Sequence, residues 1–231
     1  MIQLFNTILV SPLFNFLVYI YDTIGDIGIA IIILTLIVKI ILFPLTKKSI
    51  KSQRELQILQ PKIKEIQEKY KKDKQEMSKE MLRMYKKHNV NPLGGCLPIL
   101  IQLPILIALY EVFRKGFNAS SLDFLYSFVP NPGIINPFFL NLVNLAETSL
   151  ILAIIAAAAQ YFQGYFMQLK MKFAPVQNGN KADFAQIMQK QMLYMMPVMI
   201  LIFSLSLPAA LPLYWIVNTL FTLGQELYIK R

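Results

Sequence analysis

The run from Ile27 to Leu45, IGIAIIILTLIVKIILFPL, constrains the chain most. A helix of this sequence is apolar on every face. At 1.5 Å per residue its length matches the roughly 30 Å hydrocarbon core of a bilayer. Three further stretches share this character: Cys96–Phe113, Ser149–Gln168 and Met192–Gly224. The last is too long for one crossing and contains Pro208 and Pro212. It reads as a hairpin of two short helices, Met192–Leu207 and Ala209–Gly224, that need a thinned bilayer or neighbours over their ends. Hydrophobic residues make up 55% of the 231 positions and charged residues 16%, with a mean hydropathy of +0.48. Lipid is the solvent such a composition requires, and the class is an integral membrane protein.

Charge is unevenly placed. Between Lys47 and Asn91 lie 14 of the 23 Lys and Arg but 6 of the 13 Asp and Glu. Basic connections stay in the cytoplasm. Gly116–Thr148 has no Lys or Arg and reads as outside, whereas Lys170–Lys190 has four against one acid and reads as inside. Five spans with the N-terminus outside and the C-terminus in the cytoplasm satisfy these counts, apart from Arg114 and Lys115. The resulting segments are 1–26 on the outer surface, 27–46 as the first span and 47–91 as a basic cytoplasmic hairpin. The second span is 92–115, the outer loop 116–148 and the third span 149–168. An inner loop at 169–191, a fourth span at 192–207 and a fifth span with its tail at 208–231 complete the chain.

In the first 22 residues, polar side chains recur at Gln3, Thr7, Ser11 and Asn15, with Pro12 between. That spacing makes a polar stripe on a helix interrupted or kinked at Pro12, and it predicts an interfacial helix, a sixth span being the alternative. MIQLFNTILV has no basic residues ahead of its apolar ones and is not read as a signal peptide. In the basic stretch, Leu56, Leu59, Ile63, Ile66 and Tyr70 are spaced 3-4-3-4, and Met77, Met81 and Met84 follow at 4 and 3. Asp73 with Glu76 marks a helix start. Two amphipathic helices folded back near KKDK are expected, with Pro61 in a first turn or at a kink.

Lys39 lies about 9 Å from the inner end of its expected span. It either snorkels to the headgroups or faces a wet cavity, with Thr35 one turn earlier on the same face. Gln102 lies between Pro98 and Pro104, Gln160 and Gln163 lie one turn apart, and Asn218 and Thr222 lie one turn apart near Trp215. Singly these are ordinary interhelical hydrogen-bonding residues; together with a cation they favour a shared wet cavity. Chemistry is poorly served. His88 and Cys96 are the sole histidine and cysteine, so no disulfide within the chain and no Cys/His metal cluster exists. No serine–histidine pair, HExxH, GxGD pair or P-loop occurs, and no enzyme, metal site or cofactor is expected.

NPLGGCLPILIQLPILIALY (91–110) closely resembles the signature of the YidC-type membrane protein insertases, the YidC/Oxa/Alb family. TLIVKIILFPLT, the hairpin with LQPKIKEIQEKY, and MMPVMILIFSLSLPAALPLYW follow that family's order, so the resemblance runs from about Asn15 to Leu227. It implies five spans, a basic cytoplasmic hairpin and a hydrophilic groove open to cytoplasm and lipid but closed outside; with the interfacial helix read from residues 1–22, the fold class is an all-α membrane protein, a five-span helical bundle with a hydrophilic groove, a cytoplasmic helical hairpin and an N-terminal interfacial helix. It implies an insertase and chaperone for nascent membrane proteins in a plasma membrane, with a single groove cation on the first span. By motif that cation falls on Lys39, where most bacterial relatives have arginine; lysine keeps the charge and loses the bidentate fork. The expected groove is Lys39, Thr35, Gln102, Gln160, Gln163, Trp215 and Asn218. The hairpin lysines Lys62, Lys64, Lys69, Lys71, Lys72 and Lys74 are expected to meet a ribosome, a targeting factor or anionic lipids, with the general secretion channel a further partner. The competing readings are an anion-selective transporter or channel and a membrane-anchored ribosome receptor.

Overall fold

A computed structural model of the chain describes residues 2–88, 90–91, 97–116, 125–170 and 184–229. Cys96, most of the 169–191 inner loop and the C-terminal Lys230 and Arg231 lie outside the described residues. The architecture is helical, as expected. The chain forms two compact units, one built on 1–41, 103–170 and 180–231, the other on 42–102 and 171–179.

The first unit opens with α1 (Ile2–Phe5), a π-helical stretch (Asn6–Val10) and α2 (Ser11–Ile24). The widened turns sit just ahead of Pro12, whose ring and missing N–H disturb the preceding hydrogen bonds. Gly25 ends α2 at φ 79°, in the left-handed region, and its N–H donates to the Tyr21 carbonyl (2.7 Å). Asp26 then caps α3 (Ile27–Ile41), its Oδ1 accepting the Ile29 N–H at 2.9 Å. α2 and α3 pack together, and Leu17, Val18, Ile27 and Ile31 are among their buried residues.

The first apolar helix stops earlier than Leu45. Pro44 forces the reason: it cannot donate to the carbonyl four residues back, so α3 closes at Ile41 and a new helix opens at Phe43 with the proline in its first turn. Lys39 therefore stands in the last turn of α3, closer to the helix end than the roughly 9 Å expected from a helix running to Leu45.

α6 (Leu97–Gly116) contains Pro104, and α7 (Leu150–Lys170) follows the outer loop. In α7 the AIIAAAA run turns Ala153 and Ala156 into the packing and Ile154 and Ile155 outward. α8 (Phe184–Ser206) and α9 (Ala210–Ile229) are separated by the turn at Pro208. Both are longer than the short halves expected. Gly224 does not stop α9, which runs on through Gln225 and Glu226 to 20 residues. A Cβ on Gly164 would lie 3.1 Å from Leu193, so glycine permits the close α7–α8 approach.

The outer loop holds an element that the sequence reading did not anticipate: β1 (Phe138–Phe139) paired antiparallel with β2 (Val143–Asn144). Strands of two residues carry no alternation to detect. Phe139 lies over Gly28, where any Cβ would collide with its ring. The α8–α9 turn is stitched to the same loop, with the N–H of Ala209 donating to the Glu147 carbonyl (2.7 Å) and that of Ala210 to the Leu145 carbonyl (3.1 Å).

The second unit is a helical hairpin, α4 (Phe43–Lys69) and α5 (Lys74–Lys87). Leu59, Ile63, Met84 and Val90 form its core, with Leu56, Ile66 and Tyr85 packed around them. Asp73 caps α5, accepting from Gln75 N (3.1 Å) and Glu76 N (3.0 Å). Pro61 sits inside α4 rather than in a first turn.

By length and hydropathy, Gln3–Ile24 and Leu150–Met167 each suffice to cross a membrane among the described residues. Ile27–Ile41 with Phe43–Leu56 qualifies as a third if it is one broken span. Leu193–Ser206 is a shorter apolar stretch.

Candidate functional site

Lys39 is 9% exposed and lies where α3 packs on α9. Its Nζ donates to Thr222 Oγ1 at 2.9 Å. The Thr222 hydroxyl proton is already committed, donating to the Asn218 carbonyl one turn earlier at 2.7 Å. Thr222 therefore offers the ammonium a lone pair only. An ammonium has three donors. The other two N–H groups of Lys39 have no partner among the described residues, and no carboxylate pairs with it there. Its place in the last turn of α3 supplies a partial compensation, because the unpaired carbonyls of a helix C-terminus favour a cation.

The neighbours are polar but sparse. Thr35, buried on the Lys39 face of α3, spends its hydroxyl on the Ile31 carbonyl at 2.6 Å. The side-chain oxygens Asn218 Oδ1 and Thr219 Oγ1 are buried on α9 without a hydrogen-bond partner among the described residues. One turn before Asn218, Trp215 Nε1 donates to Gln160 Oε1 on α7 at 3.1 Å. α9 thus carries two contacts about two turns apart, a clasp to α7 at Trp215 and a cation site to α3 at Thr222.

The structure brings together Lys39, Thr35 and Asn218 on one seam and Gln160 with Trp215 on the next. Gln163 is half-buried on α7, and Gln102 is half-buried in the second compact unit. Thr222, which the sequence pairs with Asn218 but which stands outside the expected groove set, is the direct partner of Lys39. The one sequence signal for it is the i, i+4 repeat of polar residues in an apolar helix. Among the described residues such a seam has the chemistry of an anion-attracting niche: a buried cation, unused donors and orphan acceptors that water can serve.

The hairpin offers a different surface. Lys71 and Lys72 lie exposed in its turn, and Lys74 opens α5, also exposed. Lys69 Nζ is 5.3 Å from the centre of the Tyr70 ring, and Lys62 Nζ lies 3.3 Å from His88 Nε2. Lys64 is half-buried. Burial raises the pKa of the Tyr85 hydroxyl, so it stays neutral beside the core at physiological pH. Among the described residues no three His, Cys, Asp or Glu converge to hold a metal.

Comparison with known proteins places this geometry in context. Residues 19–231 match the family model described as 60Kd inner membrane protein. A protein of Wolinella succinogenes named membrane protein insertase YidC is 35% identical over 98% of this chain, which spans 38% of that protein's length. A protein of the same name from Fusobacterium nucleatum is 36% identical, with 94% of each chain covered. A solved structure described as an active YidC insertase with the first transmembrane domain resolved superposes with a TM-score of 0.61 at 26% identity, over 95% of this chain and 45% of that one.

Proposed function

Since the chain belongs to the 60Kd inner membrane protein family, the YidC-type insertases, we propose that it inserts membrane proteins and assists their folding through the niche between α3 and α9. The observation that carries this reading is Lys39, a buried ammonium with one hydroxyl partner and two unused donors among the described residues.

A client segment arrives with a short hydrophilic tail that must cross an apolar layer. Polar tail groups lose several kcal/mol each if stripped of hydrogen-bond partners, so a wet niche shortens the costly path. Lys39 draws an acidic tail in, since charges attract strongly where the effective dielectric is low. The ammonium keeps Thr222 until a client carboxylate takes its free donors. The apolar segment then slides into lipid past the third and fifth spans, driven by hydrophobic transfer and by the membrane potential acting on the acidic tail. No covalent step is required.

The topology in this reading has five spans, with the N-terminus outside and the C-terminus in the cytoplasm of a plasma-membrane protein. Residues 1–26 lie along the outer surface. Support comes from the outer loop, which runs beside α2: the N–H of Tyr126 donates to Asn15 Oδ1 (2.6 Å), that of Asn136 to Tyr21 Oη (2.8 Å) and that of Leu140 to Asp26 Oδ2 (2.7 Å). Irregular backbone of this kind suits the interface and not bare hydrocarbon. The stitched α8–α9 turn supports a niche closed to the outside, which disfavours a channel open to both faces. The hairpin lysines at 62, 64, 69, 71, 72 and 74 meet a ribosome, a targeting factor or anionic lipids, and the secretion channel is a partner for larger clients.

The test is insertion of a single-span client with an acidic tail into proteoliposomes that contain only this protein. Protected, membrane-spanning client above the protein-free level is expected. Insertion equal to that of empty vesicles, from correctly folded protein, would overturn the autonomous insertase and favour the receptor reading.

A further inference from the structure

Residues 125–146 of the outer loop carry no charged side chain. The segment is nevertheless well tied to the bundle through Asn15, Tyr21, Asp26 and the β1–β2 pairing. Ordered in this way, it presents large apolar residues outward: Ile134 is 82% exposed, Leu142 80% and Phe128 75%. At the hairpin tip Leu140 and Asn141 both adopt positive φ, 49° and 56°. Leucine seldom takes this conformation, and Asp26 holds it there by accepting the Leu140 N–H.

Three observations agree on what surrounds this surface. A contiguous apolar patch in water is an aggregation liability that stable proteins avoid. Beyond the polar link Glu147–Ser149, Leu150, Ile151 and Ile154 are again exposed and apolar at the start of α7, a helix long enough to span a bilayer. Beside the loop, α2 and α3 border an apolar cavity of about 780 Å³, with Phe16, Leu34, Ile37, Phe128 and Val129 in its wall. Tyr126 and Phe128, ring centres 5.5 Å apart, supply the aromatic character of an interfacial layer.

We propose that the outer loop is an interfacial wedge, its backbone at headgroup level and the side chains of Phe128, Ile134 and Leu142 reaching into the upper acyl chains of the outer leaflet. The occupant is phospholipid because residues 125–146 have no charge to match a polar partner and lead within four residues into α7, a helix long and apolar enough to cross a bilayer. The inference rests on the proposed topology.

It is tested with a polarity-sensitive fluorophore attached through Ile134→Cys or Leu142→Cys in a Cys96→Ser background, in phospholipid vesicles. Ser78→Cys, on the exposed face of α5, serves as the aqueous reference. Nitroxide-bearing lipids should quench the labels at 134 and 142 at least threefold more than the reference, and aqueous iodide should reach them correspondingly less. Iodide quenching equal to the reference would overturn the wedge. Shielding from both quenchers, lost on dilution to one protein per vesicle, would assign the patch to a second copy and also overturn it. Sidedness is read separately by an impermeant thiol reagent on Thr148→Cys in cells. Labelling from the cytoplasmic side alone breaks the topology, whereas outside labelling with water-exposed loop probes breaks only the wedge.

Discussion

The α3–α9 seam and the α4–α5 hairpin use positive charge in opposite ways. On the seam one ammonium is buried, with a single hydroxyl for a partner among the described residues. In the hairpin many cations share a solvated surface, and several are tied to neighbouring acids, as in Lys51–Glu55, Lys79–Glu76 and Arg83–Glu80. Exposed pairs of that kind contribute little individually, and salt screens them. A buried charge is screened much less and depends on its few neighbours. The seam should therefore behave as a site, sensitive to single atoms, and the hairpin as a surface, sensitive to total charge.

The largest expected effect belongs to the seam. An ammonium and a carboxylate about 4 Å apart at an effective dielectric near 20 attract by about 4 kcal/mol before desolvation is subtracted. Lys39→Ala should then slow insertion of acidic-tailed clients by tenfold or more, with neutral-tailed clients little changed and Lys39→Arg close to wild type. Rates from a proteoliposome assay decide it, and equal losses for both client types would remove the electrostatic part. Next in size is the hairpin's own fold. Ile63→Ala opens a cavity in a small core and should cost about 2–4 kcal/mol, seen as faster proteolysis within 43–88 while the dependence on Lys39 persists.

Thr222→Val sharpens the comparison further. It removes a hydrogen bond to a charged group, worth about 1.5–3 kcal/mol. The loss should be confined to acidic-tailed clients, restored by Thr222→Ser, and non-additive with Lys39→Ala in a double-mutant cycle. Additive losses would mean that Thr222 acts elsewhere. The smallest effect is that of any one hairpin lysine. Each of Lys71→Gln, Lys72→Gln and Lys74→Gln should weaken binding to anionic vesicles by about 1 kcal/mol, additively, and the effect should fade with added salt. A single substitution that abolished binding would make the hairpin a site after all.

The same contrast governs how much could be read beforehand. The hairpin was legible because its information is local. The 3-4-3-4 spacing places Leu59 and Ile63 in the core, and Asp73 caps the helix three residues before Glu76. The apolar helices were legible from length and hydropathy, and Lys39 stood out because a charge in such a run is costly. The partner of Lys39 was not legible. Thr222 lies 183 residues away, and an i, i+4 polar pair in a membrane helix looks the same whether it serves a cation or a neighbouring helix. The end of α3 was misjudged by four residues because hydropathy does not register what Pro44 does to hydrogen bonding. The outer loop's β pairing was hidden by its brevity, and its contacts with Asn15, Tyr21 and Asp26 are tertiary.

The central claim is that one buried ammonium recruits negative charge. The most direct measurement takes a single client whose tail carries zero to four carboxylates and follows its insertion into vesicles holding wild type or Lys39→Ala protein, without a membrane potential. The rate should rise with each added carboxylate in wild type and stay flat in the variant. The same rise in both proteins would contradict the account, because tail charge would then be sensed somewhere other than Lys39.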